Sequence, residues 1–420
     1  MKLLVVGSGG REHAVIRKLK ENKEIEKIYC APGNGGISAD AECVDIKATD
    51  KENMVKFAKE NAIDFCVVTP DDPLALGMVD VMEEAGIPCF GPKANAAIIE
   101  ASKAFSKDLM KKYGIPTADY ETFDNEKDAL HYIEEKNTFP IVIKADGLAL
   151  GKGVLICETL DDAKTALREM MVEHVFGLSG NKVVVEEFMT GKEVSVLAFT
   201  DGNVVKPMIS SMDHKRAYDN DEGLNTGGMG TIAPSPYYTK EIAETCMETI
   251  FLPTVKAMNA EGRTFKGCLY FGLMLTPKGP RVVEYNCRFG DPETQVVLPL
   301  LNSDLLTIMK ACHDGTLKDV DVVWSEEACA CVVEASGGYP VKYEKGFEIH
   351  GLDENGQHDG VIVYHAGTKK ENGKFYTNGG RVLGITAKGA TLQDALDKAY
   401  EAVKEIGFDR MHYRTDIGKK

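Results

Sequence analysis

The stretch RVVEYNCRFGDPETQ, residues 281 to 295, carries the densest chemistry in the chain. If it opens as a strand, side chains alternate, so Glu284, Asn286 and Arg288 share one face and Val283, Tyr285 and Cys287 the other. Burying three polar groups without partners is costly, so such a face flanked by apolar runs calls for a ligand. Oxygen donors from a glutamate and an asparagine suit Mg²⁺, which keeps few protein ligands and completes its shell with phosphate oxygens and water. Arg288 on the same face would meet charge developing on a transferred phosphoryl group. The competing reading is a salt-bridged face in solvent.

Three other stretches extend this chemistry. In VIKADGLALGKGV (142 to 154), Lys144 ends a strand and Lys152 stands between Gly151 and Gly153. Glycines let the backbone approach phosphate oxygens and lysines neutralise them. It is not a P-loop, because Gly153 occupies the place of the required Ser or Thr; a flexible hairpin tip has the same composition. In VVVEEFMTGKEVSV (183 to 196), a strand runs into Glu186, Glu187, Phe188 and Met189, with Glu193 beyond a Gly-Lys turn. That order fits an adenine hinge with a carboxylate for the ribose, and equally a solvated strand end. DHKR (213 to 216) and NTGGMG (225 to 230) lie in one long loop, where Asp213 and the glycines could bind an amine and a phosphate or carboxylate.

The glycine cluster GSGGREHA (7 to 14) follows the apolar run KLLVV and invites a dinucleotide reading. That fingerprint needs a small third residue where Glu12 stands, and a carboxylate at the second strand's end, where Cys30, Ala31 and Pro32 stand. Both features fail, which argues against a nicotinamide or flavin enzyme. A turn able to hold one phosphate remains, with Arg11 beside it, or else simple tight packing.

The elements that must position these residues follow from pattern. Apolar runs alternate with helical stretches over the first hundred residues, which predicts a doubly wound parallel sheet. Its strand ends, GSGG, APGNGG, TPDDP and GPKAN, read as the rim of a site. One helix is expected over ANAAIIEASKAFSKDLMKKYG (94 to 114), then strands, an antiparallel hairpin, a helix near 239 to 260, two long strands and a closing α+β unit.

At 420 residues the chain should hold two to four domains. A formal net charge of −16 argues against a nucleic-acid partner. No apolar segment is long enough to span a membrane, and the first apolar run is too short for a signal peptide. Eleven cysteines without a metal or CxxC spacing read as reduced thiols in a cytoplasmic protein.

Together, the lysine-bearing glycine turn, the E-E-F hinge and the E-x-N-x-R-F-G-D-P-E-T-Q strand resemble the ATP-grasp enzymes. Within them the chain is similar to the phosphoribosylamine–glycine ligase family over its whole length, through GSGGREHA, APGNGG, GPKANAAIIEASKAFSK, DHKRAYDNDEGLNTGGMG, HAGT and YRTDIG.

The resemblance implies an N-terminal α/β substrate domain (1 to 102), an ATP-grasp domain (103 to 325) with a small lid (about 120 to 190), and a C-terminal α+β domain (326 to 420). It implies that ATP, glycine and 5-phosphoribosylamine give glycinamide ribonucleotide, ADP and phosphate through an acyl phosphate. By the same resemblance, Glu284 and Asn286 hold Mg²⁺ or Mn²⁺, and Lys103, Lys144, Gly151, Lys152 and Gly153 meet the ATP phosphates. Glu186, Glu187, Phe188 and Met189 take adenine, with Glu193 on the ribose. Gly9, Gly10, Asn34, Asp213, Arg288, Gly290 and Asp291 line the phosphoribosylamine and glycine site, Arg288 and Asp213 being catalytic. A monomer is expected.

Two positions depart from the pattern: LYFGLML lacks a further acidic metal ligand, and Asp71 stands where a glutamate is expected. The alternatives are another carboxylate–amine ligase or carboxylase of this fold, and a nucleotide-binding module that has lost catalysis. The intact Glu284/Asn286/Arg288 face argues against the latter.

Overall fold

The computed structural model describes residues 1 to 149 and 151 to 419. The first hundred residues form a parallel sheet with strand order Glu42–Cys43, Lys27–Pro32, Lys2–Gly7, Phe65–Val68, Cys89–Phe90. Leu3, Leu4, Val5 and Val6 are all fully buried, as expected of a central strand covered on both faces. Of the turns at the strand ends, the first meets the central part of the molecule, with Asp291 against Gly9, and the second meets the C-terminal part, with Gly35 against Lys369 and Gly36 against His365.

The single helix expected over 94 to 114 is two helices, Ala94–Ala101 and Lys103–Tyr113. Ser102 leaves the helical region (φ −132°, ψ 112°), and its hydroxyl accepts the Phe105 N–H as an N-cap. Asp146 holds the break from outside, accepting the Ser102 hydroxyl at 3.0 Å and the Ala104 N–H at 2.7 Å. The break sets Lys103 in the first turn of the second helix.

Two antiparallel sheets make the middle of the chain. One orders Tyr120–Phe123, Val183–Glu187, Ile141–Ala145, Val154–Cys157 and is backed by the helices Glu126–Lys136 and Leu160–Met171. The other orders Val205–Pro207, Lys192–Thr200, Gly267–Thr276, Gly279–Asn286. Here the expected alternation is broken by a bulge: Gly272 pairs with Glu284 and Leu273 with Val282, leaving Val283 as the extra residue. Val282 and Tyr285 are therefore the buried pair (0% and 3% exposed), and Val283 does not share a core face with Tyr285.

The last sheet orders Met212–Asp213, Gly230–Ala233, Ala328–Ser336, Arg381–Gly389, Ile362–His365, under the helix Leu392–Val403. The loop carrying DHKR and NTGGMG is thus strung between two strands of the C-terminal sheet.

Candidate active site

Glu284 is the centre of the site. Burial raises its carboxyl pKa, yet Lys215, Lys144, Lys103 and Arg288 outweigh burial and hold it below the ordinary value. Lys215 Nζ lies 3.9 Å from Glu284 Oε1 and 3.3 Å from Glu193 Oε2. Lys144 Nζ donates to the carbonyl of Val283 at 3.2 Å, so the bulge residue seats this lysine. Lys103 Nζ donates to the Gly147 carbonyl at 3.0 Å, and burial lowers its pKa. Three lysines from three separate elements converge on one carboxylate. Five of the residues around Glu284, namely Glu193, Ser195, Asp213, Lys215 and Tyr270, line with it a narrow cavity of about 10 Å³, room for a water-sized group.

Beside it, Glu100 is a buried carboxylate from the helix Ala94–Ala101. It pairs with Arg288 Nη2 at 3.1 Å, accepts the Cys287 N–H at 2.8 Å, and receives the Asn286 amide at 2.9 Å in the orientation that satisfies that amide. Burial nevertheless holds the Glu100 pKa above its usual value. Glu100 fixes the Asn286 and Arg288 side chains, and Asp71 adds negative charge near Arg288. Among the described residues no group of three or more His, Cys, Asp or Glu side chains is placed to hold a metal. One ionised carboxylate plus one amide oxygen fits a hard cation that brings phosphate oxygens and water as its other ligands.

On the far side of the cavity, Asp213 Oδ1 accepts the His214 N–H at 2.7 Å. Burial first, and the nearby Glu293 second, push its carboxyl well above the ordinary range. Tyr270 donates to Glu293 Oε1 at 3.0 Å and shares a 2.7 Å hydrogen bond with Ser195. Gly228 passes so close that a Cβ would lie 2.7 Å from Asp213 Oδ1, and one on Gly290 would lie 2.3 Å from Glu293 Oε2.

The hinge residues divide. Glu186 is buried between Lys107 (3.2 Å) and Lys144 (3.0 Å), so its carboxylate orients two lysines. The Glu187 carboxylate points away to Arg281 at 2.8 Å and the Asp119 N–H at 3.0 Å. Phe188 is exposed and Met189 half-buried. Lys152 is exposed at the tip of its turn, between Gly151 and the buried Gly153.

At the N-terminal turn the polar groups of Gly9 and Asn34 are bonded within the protein. Gly9 N–H donates to Glu12 Oε2 at 3.1 Å, and the Asn34 amide is spent on the carbonyls of Ser8 and His365 and on the Ile37 N–H. A Cβ on Gly10 would meet Gln295 Nε2 at 2.6 Å. Arg11 pairs with Glu12 at 2.9 Å and donates to the Phe289 carbonyl at 3.2 Å. Asp291 accepts from Gln295 at 2.8 Å and lies 3.6 Å from Arg381; Arg381 and Arg11 lower its carboxyl pKa against burial.

Sequence reasoning missed Lys215, Glu293, Tyr270, Glu100 and Arg381. Lys215 and Glu293 stood inside the quoted DHKR and GDPETQ, and Glu100 is a lone carboxylate in an apolar helix. Tyr270 and Arg381 leave no local signal.

Comparison with known proteins agrees with this architecture. Phosphoribosylglycinamide synthetase models match in three parts: the N domain over residues 1 to 100, the ATP-grasp (A) domain over 101 to 294, and the C domain over 329 to 420. A phosphoribosylamine–glycine ligase of Caldanaerobacter subterraneus is 49% identical over 99% of both chains. One from Clostridium acetobutylicum is 48% identical over 100% of both. The crystal structure of a phosphoribosylamine–glycine ligase from Thermotoga maritima superposes with a TM-score of 0.88 at 33% identity, covering 100% of each chain. A biotin carboxylase from Campylobacter jejuni shares the fold alone, with a TM-score of 0.76 at 13% identity over 98% of this chain and 92% of that one. With family models covering most of its length and relatives near half identity end to end, the chain belongs to the phosphoribosylglycinamide synthetase family of ATP-grasp proteins.

Proposed function

We infer that the protein ligates glycine to 5-phosphoribosylamine with ATP, giving glycinamide ribonucleotide, ADP and phosphate, as a cytoplasmic monomer in purine biosynthesis. The observation that carries this is the ring of Lys103, Lys144, Lys215 and Arg288 around the Glu284 carboxylate. Such a ring is suited to a polyphosphate, whose charge it neutralises.

A carboxylate is a poor electrophile, so the glycine carboxylate first attacks the γ-phosphorus of ATP, forming glycyl phosphate and releasing ADP. The ribosylamine nitrogen then adds to the acyl carbonyl, and phosphate leaves as the amide forms. Lys103, Lys144 and Lys152 hold the phosphates, Arg288 faces the transferred phosphoryl group, and Asp213 suits the amino group of glycine. Glu284 and the Asn286 amide oxygen would hold Mg²⁺ or Mn²⁺, which when bound neutralises phosphate oxygens. No protein nucleophile is needed; catalysis is positioning and charge neutralisation.

The test is ADP release with glycine and phosphoribosylamine, against omission of each. Release that does not depend on both substrates overturns the assignment. Glu284→Ala should lower kcat by about a thousandfold or more with the melting temperature nearly unchanged; a large fall in stability would make the residue structural.

A further inference from the structure

The segment His412–Gly418, HYRTDIG, has no place in the chemistry above, yet it makes a dense set of polar contacts with one loop. His412 Nε2 bonds the Ala217 carbonyl at 2.6 Å. Arg414 is fully buried; its Nη1 donates to the Arg216 carbonyl and to Asp221 Oδ1, both at 3.1 Å. Its other nitrogens grip Asp416 in a two-pronged pair at 2.8 and 2.9 Å, and Asp416 also accepts the Asn220 N–H at 2.9 Å. Thr415 donates through N–H and hydroxyl to the Asp219 carboxylate. Gly418 N–H donates to His214 Nε2 at 3.1 Å, while His214 Nδ1 bonds the Gly230 carbonyl at 3.0 Å.

Apart from the internal Arg414–Asp416 pair, every one of these contacts falls on residues 214 to 230, the loop that presents Asp213 and Lys215 to the cavity. Ala217 and Met229 are buried, but the outer part of that loop has little burial of its own: Glu222–Asn225 is exposed throughout, and Tyr218 and Leu224 are 51% and 57% exposed. A stretch with so few buried side chains takes much of its position from its hydrogen bonds. Arg414 suits the task, because a guanidinium can bind a carboxylate on one edge and a carbonyl on the other.

We propose that Arg414 is a positioning residue: with Thr415, Asp416 and Gly418 it forms a polar strap that holds the loop 214 to 225, and so sets Asp213 and Lys215 against Glu284. The kinetic part rests on the glycine-ligating function proposed above; the structural part does not.

The experiment uses the full chain with Arg414→Gln, Arg414→Lys and Thr415→Val. Amide hydrogen exchange over 214 to 226 should quicken by about tenfold or more in Arg414→Gln. The kcat/KM for glycine should fall by about tenfold or more, with a smaller loss of affinity for the β,γ-imido analogue of ATP, because Lys215 is one of four cations around Glu284 and the other three stay in place. Arg414→Lys should recover part of both losses. Unchanged exchange over 214 to 226 overturns the strap, and so does an equal loss of nucleotide affinity and of kcat/KM. If Arg414→Gln does not fold, Thr415→Val, which removes one hydroxyl from an exposed position, decides by the same readings. A wild-type protein without glycine-dependent turnover would overturn the proposed function, and the exchange measurement would then decide the strap alone.

Discussion

Two glycine-rich turns that look alike in sequence do opposite things. In GSGGREHA the space beneath the turn is filled by the protein: a Cβ on Gly7 would lie 2.3 Å from Glu12 Oε1, and Gly9 N–H already donates to Glu12. The Glu12 carboxylate is fully buried and is also bound by Thr69 at 3.0 Å and by Arg11. In GLALGKG no described residue other than the chain neighbours comes within 4 Å of a Cβ on Gly151, and Lys152 stands exposed beside it. The first turn is a joint closed from beneath by Glu12, and the second has open space beside Gly151. Composition marks a place where backbone comes close to something; what it comes close to is decided by tertiary structure.

The contrast can be broken at several points. Gly7→Ala, at φ +134° and against Glu12, should cost about 4 kcal/mol. Gly151→Ala, at φ +74° in open space, should cost about 1 kcal/mol. Equal costs in denaturant unfolding would dissolve the distinction. Glu12→Ala leaves Arg11 and the Gly9 N–H without their carboxylate and should cost about 3 kcal/mol. Lys152→Ala should leave the melting temperature unchanged and raise the KM for ATP by about tenfold, which initial-rate kinetics would read.

The closed joint also carries a pH signature. His13 Nε2 bonds Asp40 at 2.8 Å and its Nδ1 accepts the His365 N–H at 2.9 Å, which fixes the neutral ring. Burial lowers the pKa of His13, Asp40 opposing, and takes His365 down to about 3. Both values lie below the unfolded one, so the unfolded chain binds the extra protons. The stabilisation is complete above about pH 6.5 and is lost as pH falls toward 3, by up to about 1.4 kcal/mol per pH unit for each histidine. His365→Gln should flatten the slope of unfolding free energy between pH 6.5 and 5; an unchanged slope would remove His365 from the account. The smallest effect belongs to the open turn: ATP should slow proteolysis around GLALGKG and leave cleavage near GSGGREHA unaltered. Equal protection of both would mean that nucleotide tightens the whole chain.

The parallel N-terminal sheet was legible, because buried strands and intervening helices write their periods locally. Glu284, Asn286 and Arg288 were legible because a polar face on an otherwise apolar strand has a cost that demands a reason. The bulge at Val283 was not, since it is defined by Gly272 and Leu273 on the partner strand. Nor was the helix break at Ser102, where Asp146, far along the chain, converts an ordinary serine into a cap. Glu12 could be seen to spoil the dinucleotide fingerprint, but that its carboxylate occupies the turn could not. Tyr270, Glu100 and Arg381 owe their places to partners distant in sequence.

The extra residue at Val283 works as a change of step. Upstream, the strand keeps time with the core through Val282; downstream it does so through Tyr285 and Cys287, and an unbroken two-residue beat could not satisfy both. Removing Val283 would restore the plain beat with every core side chain still inward, and would take away only the carbonyl on which Lys144 rests. A single residue inserted between Glu284 and Asn286 would instead turn one of them into the core. The core pattern of this strand is therefore compatible with a change of length at one point, and at that point the loss falls on the seat of Lys144.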